Sequence, residues 1–310
     1  MTTKDKDKGD KTRLSRVNKR LAKSGVSVLM DDPSDVLYQH SVLCQTYLPP
    51  RDPGTSNRWE RRNGDICLIV NAGEILNPDL GATCAGLPFG PKARIVLAEL
   101  NSRALKGGAR VVELEEASFT EFVRLLCGRS RAGIPNGPTI RAYKDQLLRL
   151  SVARFTLGYR YADGRVAQKS PQILSEIDVG WARDGKQRSL WPDTLILSEE
   201  YWNSLQKHAV PLDSRALSAL SHSSMALDIY QWLSQRLHRI KKTVTLGRGV
   251  LREQFGVGYT RERDFWIRGF LPALRQVQLV YPDAKVEVTP EGLELQNSPP
   301  PVRLRGRLLR

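Results

Sequence analysis

The sequence predicts an α+β chain of two units in tandem. Each runs helix, strand, two helices and a closing β-hairpin, with basic tails at both ends. Three observations carry this expectation. Apolar residues recur at helical spacing in stretches separated by short β-branched runs. That succession occurs twice along the chain, although the two copies share no visible sequence repeat. Finally, 310 residues with a 40% apolar share suffice for two cores, since a domain takes roughly 100 to 200 residues.

The first unit is read element by element. Ile66 to Val70 is a short apolar run bounded by Gly64 and Asn71, which predicts a strand. Pro88 to Leu105 predicts a helix: proline is tolerated in its first turn, and Ala93, Val96, Leu97 and Leu100 repeat at helical spacing until Gly107 and Gly108 end it. Val111 to Leu114 is short and β-branched. Ser118 then caps a helix through Cys127, with Glu121 completing a capping-box pattern. After the turn at Gly133, Pro135, Gly137 and Pro138, Ile140, Tyr143, Leu147 and Leu150 line one side of a second helix. Phe155 to Tyr161 and Ile173 to Val179 alternate as two strands joined at Asp163-Gly164. This order is that of a winged helix, the hairpin being the wing.

The order then repeats. Ser198 to Leu205 and Asp213 to Leu220 predict short capped helices, and Ser224 to Ile240 a long one striped by Leu227, Tyr230, Leu233 and Leu237. Thr243 to Leu246 predicts a strand and Gly247 to Phe255 a short helix. Thr260 to Val280 follows as a long helix. Lys285 to Val288 and Leu293 to Gln296, joined at Pro290-Glu291-Gly292, close the unit as a hairpin. The expected organisation is a disordered basic tail over 1–35, winged-helix domains over 36–195 and 196–297, and a basic C-terminal tail over 298–310.

Charge narrows the function. Lys and Arg number 48 against 33 Asp and Glu, a net charge of +15, which favours polyanionic partners and nucleic acid first. The N-terminal tail holds Lys4, Lys6, Lys8, Lys11, Arg13, Arg16, Lys19, Arg20 and Lys23 with almost nothing apolar before Leu21, too little to bury. Pro299, Pro300 and Pro301 precede a second basic run, Arg303, Arg305, Arg307 and Arg310. Such arms can neutralise phosphates or serve only solubility. No apolar stretch approaches the roughly 18 residues of a membrane span, and no secretory leader is visible. A cytoplasmic, bacterial setting follows, with Cys44, Cys67, Cys84 and Cys127 expected as buried, reduced thiols.

Enzyme signatures are not found. There is no GxxxxGK[ST] loop, and Gly247-Arg248-Gly249 lacks the third glycine of a dinucleotide motif. His40, His208, His222 and His238 never form His-x-His, and no GxSxG elbow occurs. Glu115-Glu116 and Glu199-Glu200 stand at helix starts, where the macrodipole accounts for them. The expectation is a non-enzymatic protein with no metal and no cofactor.

DNA binding has positive support. On a helix over Thr260 to Val280, Arg261, Arg268 and Arg275 fall seven apart on one face, with Trp266, Phe270, Leu274 and Val277 opposite. The apolar face can seat on a core while the arginines enter a major groove about 12 Å wide, gripping guanine edges or phosphates. A solvated amphipathic helix is the plainer alternative. Pro272 removes a donor on the arginine side, so a kink near Arg268 is expected. Arg248, Arg252 and Arg263 join the candidates. In the first unit Arg141, Lys144 and Arg149 do so, with a packing or dimer role as the alternative.

Several stretches resemble the RepA family of plasmid replication initiators: His40-Ser-Val-Leu-Cys-Gln-Thr-Tyr-Leu-Pro49, Gly86-Leu-Pro-Phe-Gly-Pro-Lys-Ala-Arg94, Trp191-Pro-Asp-Thr-Leu-Ile-Leu197, His208-Ala-Val-Pro-Leu-Asp213, Ala226-Leu-Asp-Ile-Tyr-Gln-Trp-Leu233 and the closing Tyr281-Pro-Asp283. They cover residues 40 to 296 in the family's order. The chain departs from the pattern at Gly269 and Pro272, where helix-favouring residues are usual, and at Arg103-Ala-Leu-Lys-Gly-Gly108. The resemblance implies two winged-helix domains that bind repeated duplex sites (iterons) at a plasmid origin. It further implies origin opening, recruitment of the host initiator and replicative helicase, and a homodimer in equilibrium with monomer. A transcriptional repressor that does not support replication and an RNA-associated basic protein are the readings from other classes.

Overall fold

The computed structural model describes residues 18–31, 33, 35–77, 81–113, 119–127, 135–161, 163–176 and 194–302. These form two compact units divided at 36/37 and 211/212: a central unit, and a terminal unit that joins 18–36 to 212–302.

The chain's first described element is a helix over 18–30, α1, where the sequence led us to expect an unstructured tail. Its apolar content is small, but Leu21 is buried and Gly25 lies so close to the Leu279 carbonyl that a Cβ would sit 2.4 Å from that oxygen. Arginine tethers add to this. The Arg20 guanidinium donates to the Ala219 carbonyl at 2.9 Å, and that of Arg215 donates to the Ser27 carbonyl at 2.7 Å. Composition undervalued the segment because its partners are backbone carbonyls far along the chain. The C-terminal tail is likewise fixed at its start: Ser298 and Val302 are buried, and the Tyr281 hydroxyl donates to the Pro299 carbonyl. Residues 1–17 and 303–310 of the two tails lie outside the described residues.

The central unit is entered and left along β1 (Val36–His40) and β11 (Ala209–Asp213), which pair. After the short helix α2 (Leu43–Thr46), β2 (Arg58–Asn63), β3 (Ile66–Asn71), β7 (Arg154–Arg160) and β8 (Val166–Lys169) form an antiparallel sheet in the order β2-β3-β7-β8. A separate hairpin is made by β4 (Glu74–Asn77) and β5 (Gly81–Cys84). The core helix α3 (Gly90–Gly107) buries Ala93, Val96, Leu97 and Leu100 and ends on Gly108, whose φ of 65° suits glycine. Beyond it come β6 (Val111–Glu113), α4 (Phe119–Leu126), α5 (Gly137–Val152), β9 (Leu174–Glu176), β10 (Thr194–Leu197) and α6 (Glu199–His208). The three short strands form a second sheet in the order β6-β10-β9.

The closing hairpin of this unit is therefore not the expected pair. The turn at Asp163-Gly164 exists, but it joins β7 to β8, and β7 pairs on its other side with β3. Residues 174–176 instead pair with β10, while 177–179 lie outside the described residues. Alternation in the sequence marked both strands but paired them with each other, because their actual neighbours β8 and β10 went unread. The expected boundary at 195/196 falls inside β10, the middle strand of its sheet, whereas the compact units divide at 211/212. Cysteine burial also differs from expectation: Cys44 is buried, Cys67 and Cys127 half-buried, and Cys84 exposed, all as free thiols.

The terminal unit continues with α7 (Ser214–Leu220), capped by the buried Asp213, and α8 (Ser224–Arg236), capped by Ser223. Then follow β12 (Val244–Gly247), α9 (Arg248–Phe255), a helical stretch over 262–280, β13 (Val286–Val288) and β14 (Gly292–Leu295). The sheet order is β12-β14-β13, so the last strand lies in the middle, as β10 does in the central unit. Gly292 is held by closeness: a Cβ there would lie 2.0 Å from the Leu246 carbonyl oxygen.

Candidate nucleic-acid interface

The stretch read as one helix over Thr260 to Val280 has three parts: α10 (Glu262–Asp264), a π-helical segment (Phe265–Phe270) and α11 (Leu271–Val280). Two local causes produce the π segment. The Leu271 N–H bonds to the Trp266 carbonyl five residues back, and Pro272 has no N–H to restore the α pattern. Gly269 is needed because Tyr259 packs on it: a Cβ would lie 2.5 Å from the Tyr259 hydroxyl. The departures at Gly269 and Pro272 thus have a structural reason, and where a kink was expected near Arg268 the chain forms this π segment.

An aromatic cluster seats the stretch. Trp266 stacks on Phe270 at 5.3 Å between ring centroids, Phe270 meets Phe265 at 5.6 Å and Phe255 at 5.7 Å, and Phe255 meets Trp232 of α8 at 5.3 Å. Phe265, Phe270, Leu274 and Val277 are buried, so the opposite side is turned outward. Arg261, Arg263, Arg268 and Arg275 are all exposed there. Arg268 has its side chain 80% exposed, 3.5 Å from Asp264 one turn earlier. Arg261, Arg263 and Arg275 make no ion pair among the described residues. A π turn takes about one residue more than an α turn, so the one-in-seven row of arginines winds round the axis. The straight face expected from 100° per residue is not kept between Arg268 and Arg275. Ile267 is also half exposed beside Arg268.

Arg248 and Arg252 behave differently. The Arg248 guanidinium lies over the Trp266 ring at 5.0 Å, and its Nε is buried without a hydrogen-bond partner. Arg252 donates to the Thr260 carbonyl at 2.7 Å, pinning the loop that leads into α10. Both hold the exposed arginines in place rather than standing among them. The hairpin tip carries Glu291, with Glu287 and Val288 exposed on β13. It presents no cation, so a phosphate partner there would meet repulsion.

In the central unit α5 occupies the matching position in the succession. Asn136 caps it by accepting from the Thr139 N–H, and Tyr143, Leu147 and Leu150 are buried. Arg141 is exposed. Lys144 is half-buried, and loss of water around its ammonium pushes its pKa below the usual lysine value. Arg149 is taken up internally: it donates to Asp145 at 2.9 Å and to the Leu87 carbonyl at 3.2 Å, with its guanidinium 5.1 Å from the Phe89 ring centroid. Only Arg141 of the three is fully presented outward. The sequence reading also passed over Arg58 and Arg62 of β2 and Arg154 and Arg160 of β7, which are an even number of residues apart within each strand and so share its face. That is a period-two signal, visible only once β2 is recognised as a strand.

Among the described residues no group of His, Cys, Asp and Glu is placed to hold a metal ion. No described helix is long and apolar enough to cross a membrane.

Comparisons with known proteins complete the picture. No curated protein sequence matches the chain. Among solved structures, the chain is similar to a selenomethionine crystal structure of domains 2 and 3 of RctB. The TM-score is 0.51 at 12% identity, covering 83% of this chain and 98% of that one. A second structure of RctB domains 2-3 gives a TM-score of 0.48 at 13% identity, over 82% and 94%. The first of these likenesses shows a shared mixed α/β fold and, at that identity, nothing of function. The profile of the family described as plasmid encoded RepA protein matches residues 87–248, more than half of the chain, and the protein belongs to that family.

Proposed function

We propose that the protein initiates plasmid replication by binding repeated duplex sites at the origin, as a non-enzymatic DNA-binding protein. Membership of the plasmid RepA family supports replication initiation in general. The observation that carries the DNA-binding part is the arginine-bearing stretch over 262–280. It is seated by an aromatic core, follows a short helix and precedes a hairpin whose sheet has the order β12-β14-β13. Helix, strand, two helices and hairpin is the succession of a winged helix. The central unit's α3, β6, α4, α5, β9 and β10 run in that order with the same sheet order, β7 and β8 being inserted between α5 and β9. On this reading Arg268, with Arg261 and Arg263, lies nearest the bases of one major groove. Arg141 meets the backbone of another, and Arg248 and Arg252 act by positioning. Recruitment of the host initiator and replicative helicase, a monomer–dimer equilibrium and a bacterial cytoplasmic setting belong to the same proposal.

The test is a footprint of the purified protein, at about 0.15 M salt, on the DNA flanking its gene. Regular protection of several repeats spaced by whole helical turns is expected. A single protected palindrome at the promoter would favour a repressor instead, and no sequence-specific protection would remove the proposal.

A further inference from the structure

The four-stranded sheet of the central unit has two unlike faces, and strand register assigns each residue to one of them. Trp59, Val70 and Phe155 stand in one cross-strand row, and Arg61, Leu68 and Leu157 in the next. Leu68, Val70, Phe155 and Leu157 are all buried, so this face lies on the core. The intervening residues point the other way. Their rows are Arg58, Asn71 and Arg154, then Arg62, Cys67, Gly158 and Gln168, with Arg160 opposite Val166 beyond.

Arg58, Arg62, Arg154 and Arg160 are all exposed. The acidic residue among them is Glu60, which accepts from Arg58 at 2.6 Å and is 2.9 Å from Arg62. Those two guanidinium partners hold the Glu60 carboxyl below the usual carboxylate range. Arg154 and Arg160 make no ion pair among the described residues. Four cations against one anion leave the face positive, with Asp65 beside Arg160 and Glu74 beside Arg154 at its borders. Strand geometry spreads them over a plane about 20 Å along β7 and about 10 Å across it.

We infer that this outer sheet face is a second nucleic-acid contact, one that grips the phosphate backbone of duplex DNA without reading sequence. Its chemistry selects that ligand. Guanidinium groups match phosphate bidentately, and the neutral polar neighbours Asn71, Gln168 and Ser170 are typical phosphate donors. The face has no aromatic ring on which an unpaired base could stack, which argues against single strands. It also lacks the aromatic anchor that a protein partner would need. Glu60 keeps two arginines extended and partly neutralised, so it limits this grip. The inference rests on the protein being a duplex DNA binder, but the site is separate from the arginines of the 262–280 stretch.

The experiment uses the full chain with Arg154 and Arg160 both changed to Ser, exposed positions whose loss leaves the core untouched. Binding is measured from 0.1 to 0.3 M salt on the footprinted duplex and on an unrelated one. The plot of log affinity against log salt should flatten by roughly two on both duplexes, about one per phosphate contact, with the ratio between duplexes unchanged. Glu60→Gln should raise affinity for both duplexes. An unchanged slope in the double variant would overturn this surface. So would a changed ratio between duplexes, since that means base reading. Arg268→Ala separates the two ideas: if it lowers the ratio while the double variant does nothing, the proposed function stands and this inference fails. A wild-type protein without duplex affinity would end both.

Discussion

Each unit has a three-stranded sheet with its last strand in the middle, although β7 and β8 intervene between α5 and β9 in the central unit. The two treat the long helix ahead of those last two strands differently. In the central unit α5 is regular, capped by Asn136 and buried through Tyr143, Leu147 and Leu150, and Arg149 is tied down by Asp145, the Leu87 carbonyl and the Phe89 ring. In the terminal unit the long stretch contains a π segment, packs its own Phe265, Trp266 and Phe270 into a cluster with Phe255 and Trp232, and leaves Arg261, Arg263, Arg268 and Arg275 outward. The structural cations of that unit come from the preceding helix instead, as Arg248 over Trp266 and Arg252 on Thr260. Equivalent topology therefore does not mean equivalent chemistry. One helix ties Arg149 down inside its unit and leaves Arg141 outward, and the other has its outward arginines supported from outside itself.

The largest effect should come from the aromatic seat. Phe270→Ala removes a fully buried ring in contact with three others and should cost about 3–5 kcal/mol of stability. Its counterpart Leu150→Ala, fully buried in the central unit, should cost about 2–5 kcal/mol. Urea midpoints of the full chain, read by tryptophan fluorescence, compare them. A Phe270→Ala midpoint indistinguishable from wild type would mean that the aromatic cluster is not what fixes the stretch.

Next in size is the reading of DNA. Arg268→Ala should weaken binding to the footprinted repeat by about 1–3 kcal/mol and lower discrimination against unrelated duplex. The same change at Arg149 should leave that discrimination unaltered and reduce stability, because this side chain is bonded within its unit. Titrations on both duplexes, run beside thermal melts, tell the two apart. Equal losses of discrimination at the two positions would erase the contrast between the units.

A smaller effect is expected at the start of α5. Asn136→Ala removes the side-chain acceptor for the Thr139 N–H and should cost about 1 kcal/mol. The melting temperature of the variant checks this. No change at all would mean that water replaces the cap.

Legibility in the sequence divides along the same lines. Helices with a long apolar stripe and a polar cap were readable within a few residues, as Gly137–Val152 and Ser224–Arg236 illustrate. What failed was long-range. The sequence located β3 and β7 but not their pairing or the strand β8, and it missed β2 because Arg58-Trp-Glu-Arg-Arg-Asn63 is too charged to read as a strand. Helix α1 escaped because its anchors are carbonyls and arginines some two hundred positions away. At the site, Gly269 and Pro272 were visible as anomalies, but their reason, Tyr259 packing and a π turn, needed coordinates. Outward and inward arginines look alike in a sequence, so Arg149, Arg248 and Arg252 could not be separated from Arg268 beforehand.

The smallest effect sharpens the comparison most. Arg275 lies beyond the π segment, on the same turn-side of α11 as the exposed Leu279 four residues on. Had the stretch been a straight α-helix, Arg275 would continue the face of Arg261 and Arg268, and its loss should then mimic Arg268→Ala. The π turn rotates it away from that line. Arg275→Ala should therefore lower duplex affinity uniformly, by well under about 1 kcal/mol and with a salt slope reduced by at most about one. Discrimination between specific and unrelated duplex should stay intact. A drop in discrimination matching that of Arg268→Ala would show that the DNA-bound stretch straightens into one face, and the π segment would then be a feature of the free protein alone.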